Sequence, residues 1–365
     1  MSALELAVVI PTFNEFANVP RLVAALDAAL AGRAWEAIFV DDNSPDGTAD
    51  AARELARADA RIRVIQRIGR RGLSTACIEG MCATAAPVVA VIDGDMQHDE
   101  TLLPRMLDAL QADAGLDVVV GSRFVDGGGT GDWDRDRVAK SAFATRLSQQ
   151  ILQVELSDPM SGFFMIRTGI VRELVPKLSG IGFKILLDIL TAAPRPLKVL
   201  ELPYVFRTRE AGESKLDYFV ALEYLIALYD RRFGRVVPVR FAMFAAIGAM
   251  GAVVHFTVLT ALFRLGGLTF LTGTIAATAV AMTFNFFLNN ALTYREQRLK
   301  GVRALLGGWA SFCLVCAVGA IANVGVAGFL FNVEHGDWRL SALAGIAVAA
   351  VWNYALSSRF TWGRY

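Results

Sequence analysis

From Leu6 to Leu202 the chain alternates two hydrophobic patterns. Short apolar runs rich in Val and Ile read as strands: LAVVI at 6–10, AIFV at 37–40, IRVI at 62–65, VVAVI at 88–92, DVVVG at 117–121 and LKVLEL at 197–202. Between them, Val19–Leu30, Asp50–Arg57, Thr75–Ala83 and Glu100–Gln111 carry Ala, Leu and Arg with helical period. Strand and helix in regular succession predict an α/β fold, a mainly parallel sheet with helices on both faces.

After residue 240 the pattern changes. Phe241–Phe263, Leu265–Tyr294, Ala304–Val333 and Leu340–Ser358 contain no Asp, Glu, Lys or Arg. A helix needs about 20 apolar residues to cross the hydrocarbon of a bilayer, and a charge at its centre costs about 2.5–3.5 kcal/mol. Four transmembrane helices are therefore expected, at about 239–263, 268–292, 304–331 and 340–360. The predicted division is 1–215 for the α/β domain, 216–236 for an amphipathic interface helix and linker, and 237–365 for an all-α transmembrane domain of four helices.

Composition agrees with two different materials in one chain. The 365 residues are 55% hydrophobic with mean hydropathy +0.44, too apolar for a soluble enzyme. The net charge of +1 conceals an asymmetry: residues 231–365 hold 12 bases against 3 acids, and residues 1–230 hold 24 against 32. The bases Arg231, Arg232, Arg235 and Arg240 precede the first span, and Arg295, Arg298, Lys300 and Arg303 fill the middle loop. By the positive-inside rule both termini and the whole first half face the cytoplasm, as an integral protein of the cytoplasmic (inner) membrane. LAVVI lacks a basic leader, so no cleavable signal peptide is expected.

The spans repeat at a fixed offset of 68 residues. It carries Asn285, Leu288, Thr293 and Tyr294 onto Asn353, Leu356, Thr361 and Trp362, and GAVVH from Gly251 onto GAIAN from Gly319. The bundle reads as a duplicated two-helix hairpin, both copies running in the same direction. Gly248, Gly251, Gly319 and Gly325 allow close helix contact, and His255, Asn285, Asn323 and Asn353 are expected to hydrogen-bond between helices. Cys313 and Cys316 read as small apolar filling, and with Cys77 and Cys82 they imply no disulfide framework.

In open parallel sheets the ligand sits beyond the carboxyl ends of the strands. Here those ends carry PTFNE (Pro11 to Glu15), VDDNSPDGT (Val40 to Thr48) and DGDMQHDE (Asp93 to Glu100). GxGxxG and a Walker lysine are both absent, which argues against dinucleotide hydride transfer and P-loop hydrolysis. Asp93 and Asp95 at a strand end, with Gln97 one turn on, offer oxygen ligands to Mg²⁺ or Mn²⁺, ions that usually complete their shell with water and substrate phosphates. A lone D-x-D is as readily a solvated turn.

The motifs VVIPTFNE, VDDNSPDGT, GLSTACIEGM, DGDMQH, VGSRF, SDPMSGFF, GFKILLDIL and GESKL occur in the order found in polyprenol (dolichol) phosphate mannose synthases. Residues 4–217 resemble these inverting family-2 glycosyltransferases of GT-A (Rossmann-like) fold, and the membrane half resembles a GtrA-like domain. The resemblance implies that Pro11, Phe13, Glu15, Val40 and Asp42 hold the nucleoside, that Asp93, Asp95 and Gln97 hold Mg²⁺ or Mn²⁺, and that Gly94 between the two acids lines the donor site. It assigns Arg123, Arg137, Arg209 and Lys215 jointly to the donor and acceptor phosphates. Each of these bases, taken alone, also fits a surface charge paired with a neighbouring acid, and Asp42 also fits an Asx-turn before Pro45.

The implied reaction is a metal-dependent, inverting transfer of mannose from GDP-mannose to a polyprenyl (dolichyl-type) monophosphate on the cytoplasmic leaflet, giving polyprenyl-phosphate-mannose and GDP. No nucleic-acid partner is expected. The acceptor oxygen is already an anion and needs no general base, which suits a half whose one histidine, His98, reads as outer-shell or solvated. Lys140–Val154 and Leu216–Phe233 read as helices at the headgroup boundary, with ordinary core-facing helices as the alternative. Three departures from the family pattern bear on the donor: Phe13 where Tyr is common, Gly94 in place of Ala, and Ala211 where some relatives have Arg. A UDP-sugar donor is the alternative enzyme. A processive polysaccharide synthase is disfavoured by the lack of Gln-x-x-Arg-Trp, and a translocator or nucleotide-binding scaffold is the reading of another class.

Overall fold

The structure is a computed structural model that describes residues 3–363 except 71, 132–140, 142–144, 147, 150–151, 153, 181–183, 209–228, 230–235 and 333–336. The chain divides into two compact units, Met1–Arg232 and Phe233–Tyr365. The expected interface segment 216–236 lies almost wholly outside the described residues, as does much of 140–154.

The first unit is built on a seven-stranded sheet. In chain order its elements are β1 (Leu6–Thr12), α1 (Val19–Ala29), β2 (Trp35–Asp41), α2 (Thr48–Ala58), β3 (Ile62–Gln66), α3 (Leu73–Cys82), β4 (Val88–Val91), α4 (Leu103–Ala112), β5 (Val118–Ser122), β6 (Phe164–Arg167), α5 (Thr168–Leu174), α6 (Ile185–Ala192) and β7 (Val199–Pro203). The spatial order is β3-β2-β1-β4-β6-β5-β7. The six predicted strands are present. The seventh, β6, was not expected; it runs antiparallel between β4 and β5, so the sheet is mixed.

Strand periodicity separates two cores. Leu6, Val8 and Ile10 of β1 pack into one face with Leu22, Leu26, Leu103 and Leu107, and Ala7 and Val9 pack into the other with Cys77, Met81, Ile185 and Ile189. Both faces of β1 are therefore dry, and all seven of its residues are buried. Fully burying such aliphatic side chains contributes about 1.5–3 kcal/mol each. Helix α3 lies close on the sheet because Gly80 lacks a side chain: a Cβ there would press into Val9 and Val40.

The second unit is helical: α7 (Val239–Thr260), α8 (Phe270–Leu288), α9 (Val302–Asn332) and α10 (Trp338–Leu356). Among the described residues three helices are long and apolar enough to cross a membrane: Val239–Arg264, Phe270–Thr293 and Val302–Asn332. The fourth expected span coincides with the 19-residue α10. Helix α7 packs on α8 and α9 on α10, which are the two predicted hairpins.

The duplication is visible in three dimensions. Both α8 and α10 end in a π-helical turn, at Asn289–Thr293 and Ser357–Thr361, 68 residues apart. A Cβ on Gly251 would overlap the Asn285 amide, and one on Gly319 would overlap the equivalent Asn353 amide. Residues meet their own copies: the Tyr294 and Trp362 rings stack at 4.1 Å, and Phe244 meets Phe312 edge to face at 6.4 Å. The hydrogen bonds obey the same exchange. The Tyr294 hydroxyl bonds Ser358 Oγ at 2.6 Å, and Trp362 Nε1 donates to Asn290, the counterpart of Ser358, at 3.0 Å. The hairpins are thus related by an approximate two-fold axis between the stacked rings.

Candidate active site

Strands β1, β2 and β4 lie side by side in parallel, so their carboxyl ends open at one edge of the sheet. Three non-glycine residues take positive φ among the described residues, one in each turn that follows: Asn14 (59°), Asn43 (57°) and Met96 (64°). Asparagine tolerates this conformation, whereas methionine pays about 1–2 kcal/mol for it. Met96 lies between Asp95 and Gln97, so the strain sits in the acidic turn itself.

That turn is held from behind by His98. The ring is buried, stacks on Phe163 at 5.3 Å, and meets the edges of Tyr204 and Phe206. Burial pulls its pKa down to about 4, so it is neutral at physiological pH. Nδ1 accepts the Asp93 backbone N–H at 3.2 Å, which places the proton on Nε2, 3.7 Å from Asp93 Oδ2. Gly162 permits this closeness, since a Cβ there would stand 3.1 Å from Asp93 Oδ2 and 3.4 Å from His98 Cε1. Of the two sequence readings of His98, the solvated one is excluded, since the ring is buried.

The donor atoms fit a hard cation. Asp93 keeps 34% of its side chain exposed, while Asp95 is buried and its Oδ1 accepts the Gln97 N–H at 3.2 Å. Gln97 donates Nε2 to the Arg207 carbonyl at 3.0 Å, so Oε1 is the end of the amide left to accept. Two carboxylates and one amide oxygen make an all-oxygen set suited to Mg²⁺ or Mn²⁺. Among the described residues no group of three His, Cys, Asp or Glu could hold a metal by itself. At Gly94 a Cβ would come within 3.1 Å of the Thr12 methyl, a physical reason for the smaller residue.

Of the residues expected at the nucleoside, Pro11 and Val40 are buried partners across β1 and β2, while Phe13 and Glu15 are half-buried. The two turns are laced together. Asn14 N–H donates to Ser44 Oγ at 3.0 Å, Glu15 N–H to Thr48 Oγ1 at 2.9 Å, and Phe16 N–H to Asp46 Oδ2 at 3.2 Å. Burial pushes the Asp46 carboxyl up, but hydrogen bonds from Thr48 and Phe16 outweigh it and hold the pKa below the usual range. Asp42 is not the turn-capping acid. Asp41 takes that role, accepting the Ser44 N–H at 2.9 Å. Asp42 instead accepts from Arg67 Nη1 and from the Gly72 N–H, each at 2.7 Å. Arg67 is 1% exposed and also donates to Thr75 Oγ1 at 2.6 Å.

Of the predicted phosphate-binding bases, Arg123 is described; Arg137, Arg209 and Lys215 lie outside the described residues. Arg123 grips the fully buried Asp158 with two parallel bonds, Nε to Oδ2 at 2.7 Å and Nη2 to Oδ1 at 2.8 Å. Burial pushes the guanidinium pKa down, and Asp158 more than offsets that, so the net direction is up and the group stays charged. Asp158 is fixed in turn by Glu201 of β7, which accepts the N–H groups of Ser157 and Asp158 at 2.8 and 3.1 Å. Sequence reasoning missed Asp41, Arg67, Asp158, Glu201 and Arg207. Only Asp41, beside Asp42, and Asp158, in SDPMSGFF, stood in a motif that could have flagged them.

Residues 7–175 match the glycosyl transferase family 2 model, and residues 243–362 match the GtrA/DPMS transmembrane domain. A dolichol-phosphate mannosyltransferase of Pyrococcus furiosus is 32% identical over 362 residues, covering 98% of this chain and 99% of that one. The chain belongs to the dolichol-phosphate mannosyltransferase family. It is a glycosyltransferase with a membrane domain. A polyprenol monophosphomannose synthase of Mycolicibacterium smegmatis is 34% identical over 216 residues, 58% of this chain and 80% of that one. Among solved structures, glucosyl-3-phosphoglycerate synthase from Mycobacterium tuberculosis with Mn²⁺, UDP-glucose and glycerol 3-phosphate is 22% identical. It covers 63% of this chain and 80% of that chain, with a TM-score of 0.45.

Proposed function

We propose that this dolichol-phosphate mannosyltransferase family member transfers mannose from GDP-mannose to a polyprenyl monophosphate at the cytoplasmic leaflet, with inversion at the anomeric carbon. The observation that carries the reading is the acidic turn. Asp93, Asp95 and the Gln97 amide oxygen form an oxygen-donor set at the carboxyl ends of parallel strands, braced by a neutral histidine. These residues would hold Mg²⁺ or Mn²⁺, which when bound stabilises negative charge on the departing nucleoside diphosphate.

The reaction breaks the bond between the anomeric carbon and the GDP oxygen, and forms a bond from that carbon to an oxygen of the lipid phosphate. The attacking oxygen is already anionic, so no proton has to be removed. The only histidine of the first unit is buried, neutral and committed to Asp93, which agrees with a mechanism that uses no general base. Pro11, Phe13, Glu15, Val40 and Asp42 hold the nucleoside. Arg123, Arg137, Arg209 and Lys215 bind the phosphates, where uncompensated anions would repel each other strongly. Residues 1–215 form the catalytic domain and 216–236 its membrane-surface connection. The four helices of 237–365, α10 included, cross the inner membrane with both termini cytoplasmic.

The test is donor choice in detergent or in vesicles containing a polyprenyl phosphate. Label from GDP-mannose should enter a chloroform-soluble product in the presence of Mg²⁺ or Mn²⁺, stop with a chelator, and fall at least about 100-fold in Asp95→Asn, which removes a carboxylate that would hold the cation against the diphosphate. Transfer from UDP-glucose with none from GDP-mannose would overturn the donor. Unchanged transfer in Asp95→Asn would overturn the site.

A further inference from the structure

Residues 206 and 207, just beyond β7, pack against the acidic turn, and Phe206 belongs to the buried core cluster that includes Leu6 and Val8. Phe206 meets the edge of the His98 ring at 5.6 Å. Arg207 makes four polar contacts with the turn. Its N–H donates to the Gln97 carbonyl at 2.9 Å, and its own carbonyl accepts Gln97 Nε2 at 3.0 Å. Its guanidinium spans the two acids that follow, Nη1 to Glu100 Oε2 at 2.7 Å and Nη2 to Asp99 Oδ1 at 2.6 Å. Asp99 Oδ1 also accepts the Thr101 N–H, so the acids are themselves anchored to the start of the next helical turn.

A glutamine amide can present either end to a ligand, and the two ends have opposite chemistry: Oε1 binds a cation and Nε2 repels one. What decides the end is the partner of the other atom. We propose that Arg207 is a positioning residue that fixes the Gln97 amide with Oε1 toward a bound divalent cation. Its carbonyl captures Nε2, its N–H holds the Gln97 backbone in register, and its guanidinium locks this segment to Asp99 and Glu100. Partners behind a ligand typically change metal affinity by about 10–100-fold when lost. This inference rests on the cation reading of the acidic turn.

The test is Mn²⁺ binding to the full chain in detergent micelles with GDP present, followed by the electron paramagnetic resonance of free Mn²⁺. Arg207→Ala should weaken Mn²⁺ about tenfold, and Arg207→Lys, which keeps one point charge for Asp99 and Glu100, by less. In a Gln97→Ala background the same Arg207→Ala change should alter affinity less than about twofold, because there is no amide left to orient. A general loss of fold would lower both backgrounds equally and would overturn the inference, as would wild-type Mn²⁺ affinity in Arg207→Ala. Should Arg207→Ala not accumulate, the pair Asp99→Asn and Glu100→Gln removes the same anchor with Arg207 in place and is held to the same outcomes. Asp95→Asn separates the two levels. If it binds Mn²⁺ like wild type, the cation site itself is refuted; if it loses Mn²⁺ while Arg207→Ala does not, only the role of Arg207 falls.

Discussion

Acidification should destabilise the first unit through His98. Its pKa is about 4 in the folded chain against the ordinary 6.5, because burial among Phe163, Tyr204 and Phe206 disfavours the charged ring. The unfolded chain takes up a proton near pH 6.5 and the folded chain does not until about pH 4. The stability due to neutral His98 is therefore complete above pH 6.5, declines through the window from 6.5 to 4, and is gone below it. A difference of about 2.5 pKa units at about 1.36 kcal/mol each amounts to about 3 kcal/mol. For a unit of this size that is about 6–12 °C in melting temperature. Protonation would also place two donors face to face, since Nδ1 could no longer accept the Asp93 N–H at 3.2 Å. The assay is apparent melting of the full chain in detergent from pH 7.5 to 4.5, wild type against His98→Gln. Carboxylates titrate in both proteins, so the signal is the difference between them, which should shrink as pH falls. A difference independent of pH would refute the reasoning.

Two further outcomes follow from the packing. Asp158→Leu should cost about 3–5 kcal/mol, because it strands the buried Arg123 guanidinium; replacing Asp158 and Arg123 together with Leu should cost less than the sum of Asp158→Leu and Arg123→Leu. Urea unfolding of the three variants checks this, and additive losses would contradict it. Gly162→Ala should push the Asp93 carboxylate from its place, 3.1 Å from the added methyl, and raise the Mn²⁺ concentration for half-maximal activity about tenfold while melting changes little.

The sheet was legible where strand and helix alternate, and less so after β5. Strand β6 is only four residues, FMIR, and three of them are buried, so no alternation announces it. Its antiparallel direction depends on the excursion through SDPMSG and is not written in local pattern. The acidic turn was visible because Asp93, Asp95 and Gln97 lie within five residues of chain. What braces the turn and its surroundings was hidden by distance along the sequence. Arg67 reaches Asp42 across 25 residues, Asp158 reaches Arg123 across 35, and Arg207 reaches Gln97 across 110. Periodicity has no reach over such separations, and each of these residues taken singly resembles any surface charge.

The stacked Tyr294 and Trp362 rings carry a consequence for ancestry and independence. A contact between a residue and its own duplicate is the geometry of a symmetric homodimer, in which each substitution would necessarily strike both sides at once. Joining the two hairpins in one polypeptide releases that constraint. One side has become a phenol bonded to a serine and the other an indole bonded to an asparagine. Each half can now be tuned separately, and the seam closes within a single molecule, without recruiting a second.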